Sequence, residues 1–229
     1  MKSRRLCPVP VLLSAVLLAV LGSAAAGQPY EETFDQSYPL SASGRVALEN
    51  INGDVKVEVW DRDEVRVEAV KSARTAEALE NLEIVVHASQ GSVRIETEYP
   101  RRSNSGGEVD YSLTVPRRVT IDSIDLVNGS VELIGVEGPV TAESVNGSIT
   151  THTIGHLELS TVNGGIDAHA ESLTSGDRLE LESVNGSVTV YIGGGAGAEV
   201  DAETVNGRIS NEFGLEVRKH KYVGADMRG

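Results

Sequence analysis

Ala142-Glu143-Ser144-Val145-Asn146-Gly147-Ser148-Ile149 decides the fold of this chain. The phrase returns as Leu159-Ser160-Thr161-Val162-Asn163-Gly164-Gly165-Ile166, as Leu181-Glu182-Ser183-Val184-Asn185-Gly186-Ser187-Val188, and as Ala202-Glu203-Thr204-Val205-Asn206-Gly207-Arg208-Ile209. An earlier copy surrounds Asn128-Gly129, and the first stands at Asn52-Gly53. The last intervals between these pairs are 17 to 22 residues. That period suits stacked repeats and is too short for independent domains.

Counting from each Asn, apolar residues fall four before (Leu48, Ile124, Ala142, Leu159, Leu181, Ala202), one before (Ile51, Val127, Val145, Val162, Val184, Val205) and three after (Val55, Val131, Ile149, Ile166, Val188, Ile209). Asn-Gly between strands is ordinarily a hairpin signal. In a two-residue hairpin, however, Val145 would face Ser148 and Val184 would face Ser187, which scatters the apolar set over both faces. A corner that turns all three sets inward resolves the conflict. The expectation is therefore an all-β fold, a single-stranded parallel β-solenoid (β-helix-like) with coils of about 17–22 residues. Twelve residues are its structural corners: Asn52, Gly53, Asn128, Gly129, Asn146, Gly147, Asn163, Gly164, Asn185, Gly186, Asn206 and Gly207. Glycine there is expected for its ease at positive φ, and Asn for its tolerance of the left-handed region. Equivalent Asn side chains are expected to stack as an amide ladder.

Outside the repeat, residues 1–26 read as a signal peptide. Lys2, Arg4 and Arg5 form the charged start, Val9 to Leu21 the apolar stretch, and Ser23-Ala24-Ala25-Ala26 the small-residue cleavage region. Residues 27–43 read as a polar N-terminal lead-in, 44–120 as irregular first coils, and 121–229 as regular coils of the same domain. Val55, Val57 and Val59 alternate as in a strand. Ala73, Ala76, Ala78, Leu79 and Leu82 suggest one short helix within 73–82, and 101–107 reads as a polar loop.

Cys7, the one cysteine, lies within the signal, so a mature chain has neither disulfides nor thiolate metal sites. Cleavage removes three basic residues and no acidic ones, leaving 34 acidic side chains against 17 of the 20 basic ones. That balance argues against nucleic acid and anionic lipid as direct partners, because phosphates would be repelled. At 4% aromatic residues, a sugar-stacking lectin site has little to work with.

In this order, Glu49-Asn50-Ile51-Asn52-Gly53-Asp54-Val55, the strand Val109-Asp110-Tyr111-Ser112-Leu113-Thr114-Val115-Pro116 and the Val-Asn-Gly-Ser coils resemble the bacterial putative-adhesin domain family across 44–222. The resemblance implies an exported β-solenoid domain of unknown function, with no catalytic residues and no cofactor. The family has a further Gly-rich coil, which 213–224 is expected to approach.

Candidate chemistry is sparse. His152, His156 and His169 lack a ligand motif, Gly-x-Ser-x-Gly is absent, and Gly193 to Gly197 has no Lys-Ser/Thr for a phosphate loop. Asn128, Asn146 and Asn185 match the glycosylation sequon, which the corner already demands. The main non-random surface feature is acidic. Glu49, Asp125, Glu143, Ser160, Glu182 and Glu203 stand three before each Asn, and Glu158, Glu180 and Asp201 two residues earlier. Stacked in register, they form outward rows at strand spacing. Glu180, Glu182 and Glu203 are the metal (cation) candidates.

The sequence thus points to a non-enzymatic extracytoplasmic β-solenoid, secreted to the periplasm or cell surface. It would act as a putative adhesin, binding or scaffold module at the cell envelope, on a protein or glycan ligand, with no membrane span after signal cleavage. A regulatory ectodomain in envelope-stress sensing and a carbohydrate-active β-helix enzyme are the other readings.

Overall fold

The computed structural model describes residues 29–99, 107–170, 172–173, 176–193, 199–212, 214–219 and 225–228. The signal segment 1–26 with Cys7, residues 101–106 of the polar loop read at 101–107, the glycines at 194–197, and 213 and 220–224 of the expected approach to a further coil lie outside the described residues, while Gly107 opens a strand.

The chain opens with β1 (Tyr30–Pro39), β2 (Arg45–Asn52), β3 (Val55–Trp60), β4 (Glu64–Ala73), α1 (Ala76–Glu80), β5 (Glu83–Ala88), β6 (Ser92–Glu98) and β7 (Gly107–Pro116). The repeats follow as β8 (Thr120–Asn128), β9 (Val131–Ile134), β10 (Val140–Asn146), β11 (Ile149–Thr153), β12 (Leu157–Asn163), β13 (Ile166–Ala170), β14 (Arg178–Asn185), β15 (Val188–Ile192), β16 (Glu199–Thr204) and β17 (Ile209–Asn211). A short β18 (Val217–Lys219) and β19 (Ala225–Arg228) complete it. Among the described residues no helix is long and apolar enough to cross a membrane.

The architecture is all-β, in two large and mostly parallel sheets. The first has the order β1-β4-β7-β3-β9-β11-β13-β15-β17, the second β18-β19-β16-β14-β12-β10-β8-β2-β6-β5. From β8 to β17 successive strands alternate between the sheets, each pairing in parallel with its counterpart one repeat away. From β10 onward the register is regular: Asn146 pairs with Asn163 and Asn163 with Asn185, while Ile149 pairs with Ile166 and Ile166 with Val188. The pairing of β10 on β8 carries one register shift, between Val140 and Glu143. Leu48, Ile124, Leu159 and Leu181 from the second sheet share one core with Val55, Leu133, Ile149 and Val190 from the first. Each such side chain contributes about 1.5–3 kcal/mol on full burial.

The sheets are not closed. Antiparallel strands flank the parallel blocks: β1 on β4, β4 on β7, β5 on β6, and β19 on β16. The polar lead-in contains β1, which pairs with β4 at ten positions. Its half-buried face carries only Phe34 and Tyr38 as apolar residues, enough for an edge strand but too little for a periodic signal. The helix is shorter than 73–82. Ala73 ends β4, Thr75 caps α1 by accepting from the Ala78 amide (3.1 Å), and Leu82 already belongs to the main core.

Two expectations about the corners are corrected. The residue before each Asn does not point inward: Val145 is 40% exposed and Val162 39%, Ile51, Val127 and Val205 are similar, and Val184 is half-buried. Strand alternation runs one step further than the apolar pattern implies. The inward residue is two before the Asn, and Ser144, Thr161, Ser183 and Thr204 occupy that place, all buried. The parity change falls between there and the residue three after the Asn.

Nor do the corner glycines serve positive φ in general. Of the six, only Gly53 has it (φ 118°), and among the described residues no other residue type does. What they need is the absence of a side chain. A Cβ on Gly147 would sit 1.9 Å from the Gly129 carbonyl oxygen, on Gly164 2.0 Å from that of Gly147, and on Gly186 1.9 Å from that of Gly164. One repeat's glycine lies directly on the carbonyl of the last, too close for any β-carbon.

Candidate functional site

The repeat corner carries a continuous series of polar contacts among the described residues. Each Asn side chain donates to the side-chain oxygen of the Asn one repeat earlier. The bonds run Asn128 to Asn52 (2.9 Å), Asn146 to Asn128 (2.8 Å), Asn163 to Asn146 (2.8 Å), Asn185 to Asn163 (2.9 Å) and Asn206 to Asn185 (2.8 Å). At the start Asn52 Nδ2 donates to the Gly107 carbonyl instead, at 3.1 Å. The glycosylation-sequon residues Asn128, Asn146 and Asn185 are thus all ladder members.

Behind the ladder runs a second series. Ser144 Oγ donates to the Gly129 carbonyl, Thr161 Oγ1 to Gly147, Ser183 Oγ to Gly164 and Thr204 Oγ1 to Gly186, each at 2.9 Å. A third uses the main chain: the amides of Gly53, Gly129 and Gly147 donate to the carbonyls of Asn128, Asn146 and Asn163. Sequence reasoning missed the hydroxyl series, although its signal is visible. Four successive repeats place Ser or Thr two before the Asn, where alternation alone would want an apolar residue.

The outer face of the second sheet carries the acidic rows. Cα register pairs Glu49 with Asp125, Asp125 with Glu143, Glu143 with Ser160, Ser160 with Glu182 and Glu182 with Glu203, while Glu158 pairs with Glu180 and Glu180 with Asp201. Glu143, Glu158, Ser160, Glu180, Glu182, Asp201 and Glu203 line a shallow recess of about 330 Å³. Arginines border it: Arg178 Nε lies 2.5 Å from Glu180 Oε1, and Arg228 reaches Asp201 (3.3 Å) and Glu203 (3.6 Å). Of the cation candidates, Glu180 and Glu203 are thereby engaged by arginine. Among the described residues no three or more His, Cys, Asp or Glu side chains are grouped to hold a metal ion.

On the outer face of the first sheet, His152, His169 and Tyr191 each stand six residues after their Asn. Their rings stack: His152 on His169 with centroids 4.3 Å apart, His169 on Tyr191 at 4.2 Å. His169 Nε2 also meets Asp167 Oδ1 at 2.9 Å. His156 stands apart from this stack, in the turn before β12. Such ring pairs contribute roughly 0.5–1.5 kcal/mol beyond burial, so the row stiffens the face.

At the first corner Asp54, Glu108 and Asp110 converge. Asp110 Oδ1 accepts from the Asp54 amide (2.9 Å), and Asp54 Oδ1 from the Ser130 amide (2.7 Å). Desolvation raises the Glu108 carboxyl above its ordinary value, and repulsion from Asp110 and Asp54 adds to the shift. Tyr111, buried nearby and bonded to Thr97 (2.7 Å), has its phenol pushed up by burial.

No protein-family model matches the chain, and no curated protein matches it in sequence. Among solved structures it is similar to a putative cell adhesion protein from Clostridium sporogenes, at 14% identity and a TM-score of 0.47, over 80% of this chain and 99% of that one. A putative adhesin from Bacteroides fragilis matches at 10% identity and a TM-score of 0.38, covering 81% and 99%. A putative lipid binding protein from Parabacteroides distasonis matches at 10% identity and a TM-score of 0.25, covering 81% and 95%.

Proposed function

We propose that the chain is an exported, non-enzymatic parallel β-solenoid that serves the cell envelope as a binding or scaffold module. The observation that carries this reading is the unbroken amide ladder from Asn52 to Asn206. It fixes successive corners in register, so outward side chains recur in straight rows on both sheets. A stiff surface of repeated side chains favours extended contact with a protein or glycan over chemistry at one point. The acidic balance adds repulsion from polyanions, and the charged and apolar pattern of 1–21 supports export.

The test is photocrosslinking in cells from outward positions on each sheet, Ser160 on β12 and Thr189 on β15, with buried Leu159 as control. The expected result is a discrete adduct from an outward position, recovered with envelope fractions from a chain whose N-terminus begins near residue 27. Adducts from neither face, or an intact Met1-Lys2 terminus in the cytoplasmic fraction, would overturn the reading.

A further inference from the structure

Asn-Gly is the dipeptide whose side chain is most open to attack by the following main-chain nitrogen, because glycine places no β-carbon in the way. This chain repeats it along one edge, and the structure fastens the copies unequally. In four interior repeats the Asn amide is held at both ends, donating to the preceding Asn and accepting from the next. Asn52 is likewise held twice, by Gly107 and Asn128. The carbonyls of Gly129, Gly147, Gly164 and Gly186 are each tied by the hydroxyl of the following repeat.

Asn206-Gly207 keeps one of these fastenings. Asn206 Nδ2 donates to Asn185, but among the described residues no side chain donates to Asn206 Oδ1 or to the Gly207 carbonyl. The Gly207 amide, like those of Gly164 and Gly186, has no main-chain acceptor among the described residues, so the difference lies in the side-chain fastenings. Gly207 is also the one exposed glycine of the six corners; Gly53 is buried and the other four are half-buried. After it the chain enters β17, only three residues long and at the edge of the first sheet.

We infer that Asn206 is a site of spontaneous deamidation, and that the ladder protects the other five asparagines. The Gly207 nitrogen attacks Cγ of Asn206. The N–Cγ bond forms, the Cγ–Nδ2 bond breaks, and ammonia leaves with the proton from the Gly207 amide. Water then opens the succinimide at one of its two C–N bonds, leaving aspartate or isoaspartate. Either product lacks the Nδ2–H that bonds Asn185. Isoaspartate also inserts a methylene into the main chain between β16 and β17, which loosens the edge strand.

The test uses the full chain, incubated natively at mildly alkaline pH and in parallel in denaturant, with peptide mass spectrometry and enzymatic isoaspartate methylation as readouts. Losing one or two hydrogen bonds corresponds to roughly tenfold to a hundredfold in rate. Asn206 is expected to convert faster than each other Asn-Gly pair by such a factor in the native protein, with the six rates converging in denaturant. In Asn185→Ala, which deprives Asn163 Oδ1 of its donor, Asn163 is expected to accelerate while circular dichroism stays native. Equal native rates at all six pairs, or a dominant interior site, would overturn the inference. So would a rate difference at Asn206 that persists in denaturant, since that would place the cause in the sequence alone.

Discussion

Thr161 Oγ1 and the Gly147 carbonyl oxygen lie 2.9 Å apart across two successive repeats. The bond lets a buried hydroxyl occupy the inner side of the corner, and it holds the glycine on which the next repeat is laid. Thr161→Val keeps the shape but removes the donor, so destabilisation of about 1–3 kcal/mol is expected in urea unfolding. Val162→Asp is expected to stay within about 0.5 kcal/mol, because Val162 stands on the outside. A reversed order would restore the inward valine.

Glycine at the corner is required by contact between main chains. A Cβ on Gly164 would lie 2.0 Å from the Gly147 carbonyl oxygen, and neither strand can shift without breaking parallel pairs on both sides. Gly164→Ala should therefore cost roughly 3 kcal/mol or more. Gly91→Ala meets nothing within 4 Å and should be close to neutral. Comparing the two melting temperatures separates packing from the general effect of losing a glycine.

How much of this was legible in the sequence depends on what each residue does. Leu159 and Ile166 announce their burial because strand packing demands an apolar side chain at those places. The Asn ladder is equally readable, since identical residues at one phase stack on themselves. Val162 misleads because an exposed valine on a strand is indistinguishable by type from a buried one, whereas Thr161 looks like a surface residue and is buried. Its partner is a main-chain carbonyl from the repeat before, which no side-chain pattern encodes. The His152–His169–Tyr191 stack was missed for a related reason: two rings in different repeats become neighbours only when the register of β11, β13 and β15 is known. β1 stayed hidden because an edge strand half in solvent needs only Phe34 and Tyr38 to hold it.

Thr151 and Thr153 present the opposite case to Thr161. Both are buried on the inner face of β11, and among the described residues neither hydroxyl has a hydrogen-bond partner. Thr151 pairs with Leu133 and Ala168, an apolar setting in which an unsatisfied hydroxyl costs free energy. Thr151→Val is expected to stabilise the protein by about 1 kcal/mol, read as a higher urea midpoint with an unchanged slope. No gain would indicate that water serves as the hydroxyl's partner.

The convergence of Asp54, Glu108 and Asp110 at the first corner makes stability depend on pH. Because the folded protein holds the Glu108 proton more tightly than the unfolded chain does, the favourable contribution of this group is complete below the ordinary glutamate range. It is lost as pH rises through the raised folded value, because the ionised carboxylate is then partly desolvated and also repelled by Asp110 and Asp54. Glu108→Gln should therefore raise the unfolding midpoint at pH 7 and lose that advantage as the pH falls below the ordinary glutamate value. Added salt should shrink the gain at pH 7, since repulsion between exposed carboxylates is screened. A gain that survives both acid and salt would instead assign the effect to Gln packing or hydrogen bonding at the corner.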